Sequence, residues 1–190
     1  MLNDNVVGEN DRMRCANNNS AARQQLDLQQ LTVDDWPLWR TMRLQALREA
    51  PYAFGSRLAD WQGKGDLEER WRARLSSVPF NLIAVLNGGP VGMASATEPD
   101  PNGTVELISL WVAPSDRGCG VGDALVNAVI QWAEKQQALR LCLDVTKSNE
   151  HAIALYFRHG FVDAGELTPA NPGDAPERRF LWNLARSPDR

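Results

Sequence analysis

Apolar positions along the chain switch between a period of two and a period near 3.6. Residues 26–31 (LDLQQL) alternate well enough for a first strand. Thr32 and Asp35 then form a capping-box-like start, Pro37 falls in a first helical turn, and Leu38, Met42, Leu44 and Leu47 carry a helix to about Ala50, before Pro51. An aromatic loop follows, then a second amphipathic helix near 66–76 with Leu67, Trp71 and Leu75 on one face. Residues 80–86 read as a strand, Asn87-Gly88-Gly89 as a hairpin turn, 90–97 as the returning strand, 99–103 as another turn and 104–112 as a third strand. Three strands in hairpin order predict an antiparallel meander. A helix over about 120–136, a strand at 139–145, a helix at 149–159 closed by Gly160, and strands at 161–166 and 178–184 complete the chain. The expected class is α/β, with about seven strands and four helices. Residues 168–177 are a Pro/Gly/Ala-rich loop, and no repeat or linker divides the rest. Residues 1–24 are polar and Asn-rich; they are expected to be a disordered tail, or an extended start with Met13 as an alternative initiator. One domain over 25–187 is the reading for the 190 residues.

Composition narrows this little, but usefully. Hydrophobic residues make up 43% and charged residues 23%, a soluble globular balance, and the net charge of −4 argues against an electrostatic nucleic-acid binder. No apolar run approaches the ~18 residues of a membrane span, and the N-terminus lacks the layout of a signal peptide. Cys15, Cys119 and Cys142 form no disulfide framework and no Cys-x-x-Cys spacing, so a reducing cytoplasm is the expected compartment. His151 and His159 cannot assemble a His-rich metal site and read as helix-surface residues.

The chemistry concentrates after the third meander strand. Gly118, Gly120 and Gly122 follow it at spacing two, and Leu125, Ala128, Val129 and Trp132 then recur at helical spacing. A strand, a Gly-rich turn and a helix N-terminus present free backbone N–H groups to an anion, so the implied ligand carries phosphate or pyrophosphate. A nucleoside-triphosphate loop needs Gly-Lys-Ser/Thr, whereas Asp123 follows the last glycine; that reading is rejected. A dinucleotide fingerprint needs a third glycine where Asp123 or Leu125 stands, although Asp144 lies about twenty residues on, where a ribose-binding acid would be sought. The meander also counts against that reading, because a dinucleotide fold opens with a parallel βαβ unit.

Arg117-Gly118-Cys119-Gly120-Val121-Gly122 matches the pattern Gln/Arg-x-x-Gly-x-Gly/Ala, and together with the preceding strand it resembles the coenzyme-A loop of the GNAT superfamily of acyl-CoA N-acyltransferases. A second element, at the expected distance, strengthens this. Residues 149–161 (NEHAIALYFRHGF) resemble the signature Asn-x-x-Ala-x-x-Leu-Tyr-x-x-x-Gly-Phe. The resemblance covers about 26–186, with specific motifs in about 105–161. It implies a GNAT fold, whose mixed sheet splays after the fourth strand, and acetyl-CoA as cosubstrate with no metal. Residues 118–122 would cradle the pyrophosphate, Arg117 adding charge or bracing the loop. Leu110, Trp111 and Val112 would pair with the pantetheine arm, with a backbone N–H near Val112 polarising the thioester carbonyl, and Asn149 and Ala152 would meet the arm from the other side. The acceptor is expected to be a small-molecule or peptide amine; homodimers are frequent in the family.

Tyr156 is the candidate general acid for the leaving thiolate, set against a core tyrosine at a helix end. Glu106 is the candidate base, directly or through water, set against a solvated carboxylate at a strand start. Simple strand alternation places Glu106, Ile108, Leu110 and Val112 on one face, with Ser109 opposite. Cys119 sits in a variable position of the loop, where a nucleophilic role finds no histidine partner. Tyr52, Phe54 and Trp61 are candidates to line the acceptor pocket, and Asp60, Asp66, Glu68, Glu69, Glu98 and Asp100 to attract a cationic amine. A non-catalytic acyl-CoA-binding module on the same fold is the alternative; retention of Tyr156 and Asn149 favours an enzyme.

Overall fold

The computed structural model describes residues 25–168 and 175–184. The expected tail at 1–24 and most of the loop at 168–177 lie outside them. Seven strands form one mixed sheet in the order β1-β2-β3-β4-β5-β7-β6: β1 (Leu26–Gln30), β2 (Phe80–Leu86), β3 (Gly89–Ala96), β4 (Thr104–Val112), β5 (Arg140–Thr146), β6 (Val162–Glu166) and β7 (Glu177–Asn183). Four α-helices accompany them among the described residues: α1 (Trp36–Glu49), α2 (Glu68–Ser77), α3 (Val121–Lys135) and α4 (Glu150–Arg158). The aromatic loop between α1 and α2 is built from short 3-10 turns at Pro51–Ala53, Leu58–Trp61 and Gly63–Gly65.

The β1–β4 meander is antiparallel, and its first turn is tight because Asn87 (φ 52°) and Gly88 (φ 84°) both take the left-handed conformation a two-residue hairpin requires. Each face of the sheet buries its own core. On one side α3 inserts Val121, Leu125, Val126, Val129 and Ile130 against Leu82, Ala84, Ala94, Ala96, Val105 and Leu107. On the other, α1 and α2 bring the fully buried Trp39 and Trp71 against Ile83, Met93 and Trp111. β2 and most of β3 are therefore buried on both faces, whereas β1 at the sheet edge is largely exposed.

Two features of β4 set up the rest. It pairs with β5 in parallel over only three positions, Thr104↔Arg140, Val105↔Leu141 and Glu106↔Cys142, while β5 continues beside β7 to Thr146. The sheet thus splays after Glu106, as expected. β4 also contains a bulge that the sequence pattern does not announce. Its register with β3 slips by one residue between Trp111↔Met93 and Ile108↔Ser95, and Ser109 takes φ 59°. The bulge reverses the alternation, which corrects the simple strand reading. Leu110 and Val112 join Val105 and Leu107 on the α3 side, and Trp111 turns to the α1–α2 side. Ser109 also faces that side, where α2 reaches it, and Glu106 falls on the face opposite Leu110 and Val112.

The bulge is held from behind by Arg74 of α2, which donates to Ser109 Oγ (3.4 Å), Ser95 Oγ (3.3 Å) and Asn81 Oδ1 (3.1 Å). Buried Asn81 also donates to the carbonyls of Val78 and Leu75 at the end of α2. A left-handed non-glycine residue costs about 1–2 kcal/mol. Ser109→Gly and Ser109→Ala both remove the hydroxyl, so the left-handed penalty on Ala, partly offset by the greater unfolded-state entropy of Gly, separates them. Urea unfolding is expected to show Ser109→Gly more stable than Ser109→Ala by about 1 kcal/mol; equal stabilities would mean that no left-handed residue is held there.

Candidate active site

The turn after β4 passes through a single 3-10 turn at Pro114–Asp116 and enters α3 through two left-handed glycines, Gly118 (φ 78°) and Gly120 (φ 79°). Gly120 is the N-cap of α3 and has no side chain to fill the first-turn N–H groups; a Cβ built there meets nothing within 4 Å. The helix start is an open cradle of backbone donors at the positive end of a dipole. Gly122 serves packing: a Cβ would lie 3.2 Å from Leu155 of α4 and 4.0 Å from Val112. Cys119 and Val121 complete the loop, Val121 buried in the core beneath it.

Arg117 braces this loop. Its Nε donates to the Val112 carbonyl (3.1 Å) and its Nη2 to Glu49 Oε2 (2.8 Å), while Trp111 Nε1 donates to the same oxygen (2.8 Å). Glu49, at the end of α1, therefore ties the end of β4 to the glycine turn. Asp123 in the first turn of α3 would repel a phosphate, but Arg158 and His159 of the α4 end hold it, each at 3.0 Å. His159 is accordingly no surface residue; its side chain is 11% exposed, whereas His151 is exposed. Neither Glu49 nor the Asp123–Arg158–His159 group falls at a position the motifs specify, so the sequence offered no signal for them.

Across the splay, α4 begins at Asn149, whose Oδ1 caps the helix by accepting from Ala152 N (3.2 Å). Thr146 at the end of β5 donates to the Tyr52 carbonyl (2.8 Å), fastening the aromatic loop to this side. Tyr52, Ser148, Asn149, Glu150 and His151 line a cleft of about 370 Å³ at the mouth. Tyr156, two turns along α4 from Asn149, is buried, with its ring against Phe161 (5.8 Å) and Phe180 (6.3 Å). That burial pushes the phenol pKa well above its ordinary value, so the hydroxyl stays protonated throughout the physiological range.

Glu106 lies where the splay begins, beside Cys142, with Asp144, Glu177 and Arg179 around it. Burial raises its pKa first, and Asp144 and Glu177 add to the effect against Arg179. Arg179 is occupied, binding Asp144 through two hydrogen bonds of 2.7 Å. Glu106 itself forms no ion pair among the described residues. Asp144 is thus a structural partner of arginine, in a fold without the dinucleotide topology. The other acids proposed for the acceptor are partly used elsewhere: Asp66 holds Arg40 and Trp71 Nε1, and Asp100 accepts from the N–H groups of Asn102 and Thr104. Of the three aromatic candidates, only Tyr52 borders the cleft; Phe54 covers Arg43, and Trp61 packs on Trp71 with ring centroids 4.5 Å apart.

A glycine cradle at a helix start, a strand edge freed beside it and a facing Asn–Tyr helix together define a class of fold. The profile of the acetyltransferase (GNAT) family matches residues 36–161, and the chain belongs to that family. It is 33% identical to rat N-acetyltransferase 8B over 98 residues (50% of this chain, 40% of the relative) and 38% identical to the spermine/spermidine N(1)-acetyltransferase of Bacillus subtilis over 71 residues (37% and 47%). The chain spans less than half the length of these curated relatives. Among solved structures, the Vibrio fischeri ribosomal-protein-S5-alanine acetyltransferase superposes with a TM-score of 0.70 at 16% identity, covering 85% of this chain and 94% of that one. A Salmonella typhimurium chain solved with its cofactor acetyl-CoA superposes with a TM-score of 0.67 at 17% identity, covering 87% and 98%. At these identities the likeness is one of fold. No helix among the described residues is long and apolar enough to cross a membrane.

Removing the Glu49 carboxylate should release Arg117 and Trp111 together. Glu49→Ala is expected to lower stability by about 1–2 kcal/mol and to speed amide hydrogen exchange over residues 117–122. Unchanged exchange in that segment would show that the loop holds its shape without the brace.

Proposed function

We propose that the chain is an acetyl-CoA-dependent N-acetyltransferase that acetylates a primary amine by direct attack in a ternary complex, residues 25–187 forming its catalytic domain. The observation that supports this is the edge of β4 that β5 leaves unpaired beyond Glu106, between the glycine cradle and the Asn149–Tyr156 helix. Acetyl-CoA has an anionic pyrophosphate, an extended amide-bearing arm and a thioester. The N–H groups of residues 118–122 receive the first, with Arg117 bracing them. The backbone of Leu110, Trp111 and Val112 pairs with the arm, and the amide of Asn149, beside Ala152, meets it from α4. A β4 N–H beyond the bulge polarises the thioester carbonyl.

Glu106 takes the proton that the amine must lose. An amine with a pKa near 10 is mostly protonated at neutral pH, so a carboxylate with a raised pKa, unpaired at the splay, is suited to both attraction and deprotonation. As nitrogen bonds to the acyl carbon and the C–S bond breaks, Tyr156 gives its hydroxyl proton to the departing sulfur. Its raised pKa keeps that proton in place until the charge develops.

Tyr156→Phe removes the donor and little volume. It should lower kcat by about 10²–10³-fold with acetyl-CoA KM nearly unchanged; wild-type turnover would remove Tyr156 from the reaction. For Glu106→Gln, the rise of kcat/KM with pH on the acidic side should disappear. The same variant should be more stable than wild type at neutral pH. A carboxylate whose pKa is raised on folding contributes stability at low pH and loses it as pH climbs through the folded pKa, and Gln never ionises. A retained pH limb would place the base elsewhere.

A further inference from the structure

Two arginines lie on the α1–α2 side of the sheet, and among the described residues no carboxylate pairs with either. Arg43, on the inner face of α1, is 8% exposed, and its Nη1 is buried without a partner. It makes no hydrogen bond or ion pair among the described residues. The Phe54 ring covers the face of its guanidinium at 4.3 Å and leaves the N–H edge free. Arg74 has only neutral acceptors, Asn81, Ser95 and Ser109, and lies 5.0 Å above the Trp39 ring, whose own Nε1 is buried without an acceptor. Burial lowers the pKa of both guanidiniums to about 10, and Arg74's charge adds to the effect on Arg43, so both remain cationic at neutral pH.

The nearby acids are engaged elsewhere or face solvent: Glu49 binds Trp111 and Arg117, Asp66, ahead of α2, binds Arg40 and Trp71, Glu68 pairs with Arg72, and Glu69 is exposed. A buried cation left without a counter-charge is costly, and a chain that keeps two of them side by side is set up for an anion supplied from outside. The location says which molecule brings it. Arg74 holds Ser109, on the face of β4 that Glu106 also occupies, and Phe54 belongs to the loop that Thr146 fastens across the splay. A guanidinium edge matches the planar oxygens of a carboxylate.

We propose that Arg43, with Arg74 behind it, receives the carboxylate of the acceptor, so that the substrates are amines that also carry a carboxylate. This rests on the amine-acetylation reading above. Ammonium and carboxylate sit at separate ends of the acceptor, because the three residue steps from Glu106 to Ser109 span roughly 10 Å of strand.

The test uses α-, β- and ω-amino acids of increasing chain length beside their carboxamides, with acetyl transfer followed by thiol release, in wild type and Arg43→Met. Wild type should prefer at least one acid over its amide by on the order of ten- to a hundredfold in kcat/KM, and the ratio should fall to about one in Arg43→Met. Thermal unfolding without acetyl-CoA provides the second readout. Arg43→Met should melt above wild type when no acceptor is present, and the preferred amino acid should raise the wild-type Tm and leave the variant's unmoved. Amides acetylated as well as acids, or a preference that survives Arg43→Met, overturns the inference and leaves amine acetylation standing. Amino acids that stabilise through Arg43 without ever being acetylated uphold the carboxylate site and remove the amine-acetylation reading instead.

Discussion

The left-handed turn of backbone at Ser109 is the constraint on which the site depends. One extra residue in β4 reverses the facing of everything after it. Leu110 and Val112 rest on the α3 core, Trp111 reaches Glu49, and Glu106 stays on the opposite side with Ser109. Without that residue, Glu106 would share a face with Leu110 and Val112. The strained conformation persists because Arg74 ties Ser109, Ser95 and Asn81 into one buried network spanning three strands and α2. Ordinary strand packing would not compensate a β-region residue forced to positive φ.

Charge is distributed around this frame by saturation. Glu49 is committed to Trp111 and Arg117, Asp123 to Arg158 and His159, and Asp144 to Arg179. Each pair fixes the position of one element, and the three acids are occupied by their partners. Among the described residues, Glu106 is a carboxylate at the splay without an ion-pair partner, and Arg43 and Arg74 are largely buried cations without an anionic one. Groups left uncompensated in this way are where the proposed zwitterionic acceptor would gain most from binding.

Most of the fold was legible in the chain. Strand and helix bounds fell within a residue or two of the hydrophobic pattern, because sharp punctuation at Pro51, Asn87-Gly88, Pro114 and Gly160 stops each element where its backbone must turn. The glycine loop and the 149–161 helix were legible because anion cradling and helix capping demand particular residues at fixed spacing. What escaped were interactions decided by tertiary placement. A bulge at a serine has no sequence signature, so strand alternation put Glu106 on the wrong face. Glu49 and Asp123 are ordinary helix acids until β4 and α4 arrive beside them. Arg43 and Arg74 belong to no motif, and their burial is visible only once α1 and α2 close over the sheet. The acceptor acids were sought among 60–100, where Asp66 and Asp100 prove to hold structure together.

The central claim is that acetyl passes from acetyl-CoA to an amine held in the same complex. Initial velocities measured over a grid of acetyl-CoA and acceptor concentrations, with the N-acetyl product identified by mass, test it most directly. Intersecting double-reciprocal lines and one acetylated amine per thiol released are the predicted result. Parallel lines would contradict direct attack, and tight acetyl-CoA binding with no acetylated amine from any acceptor would contradict the enzyme itself.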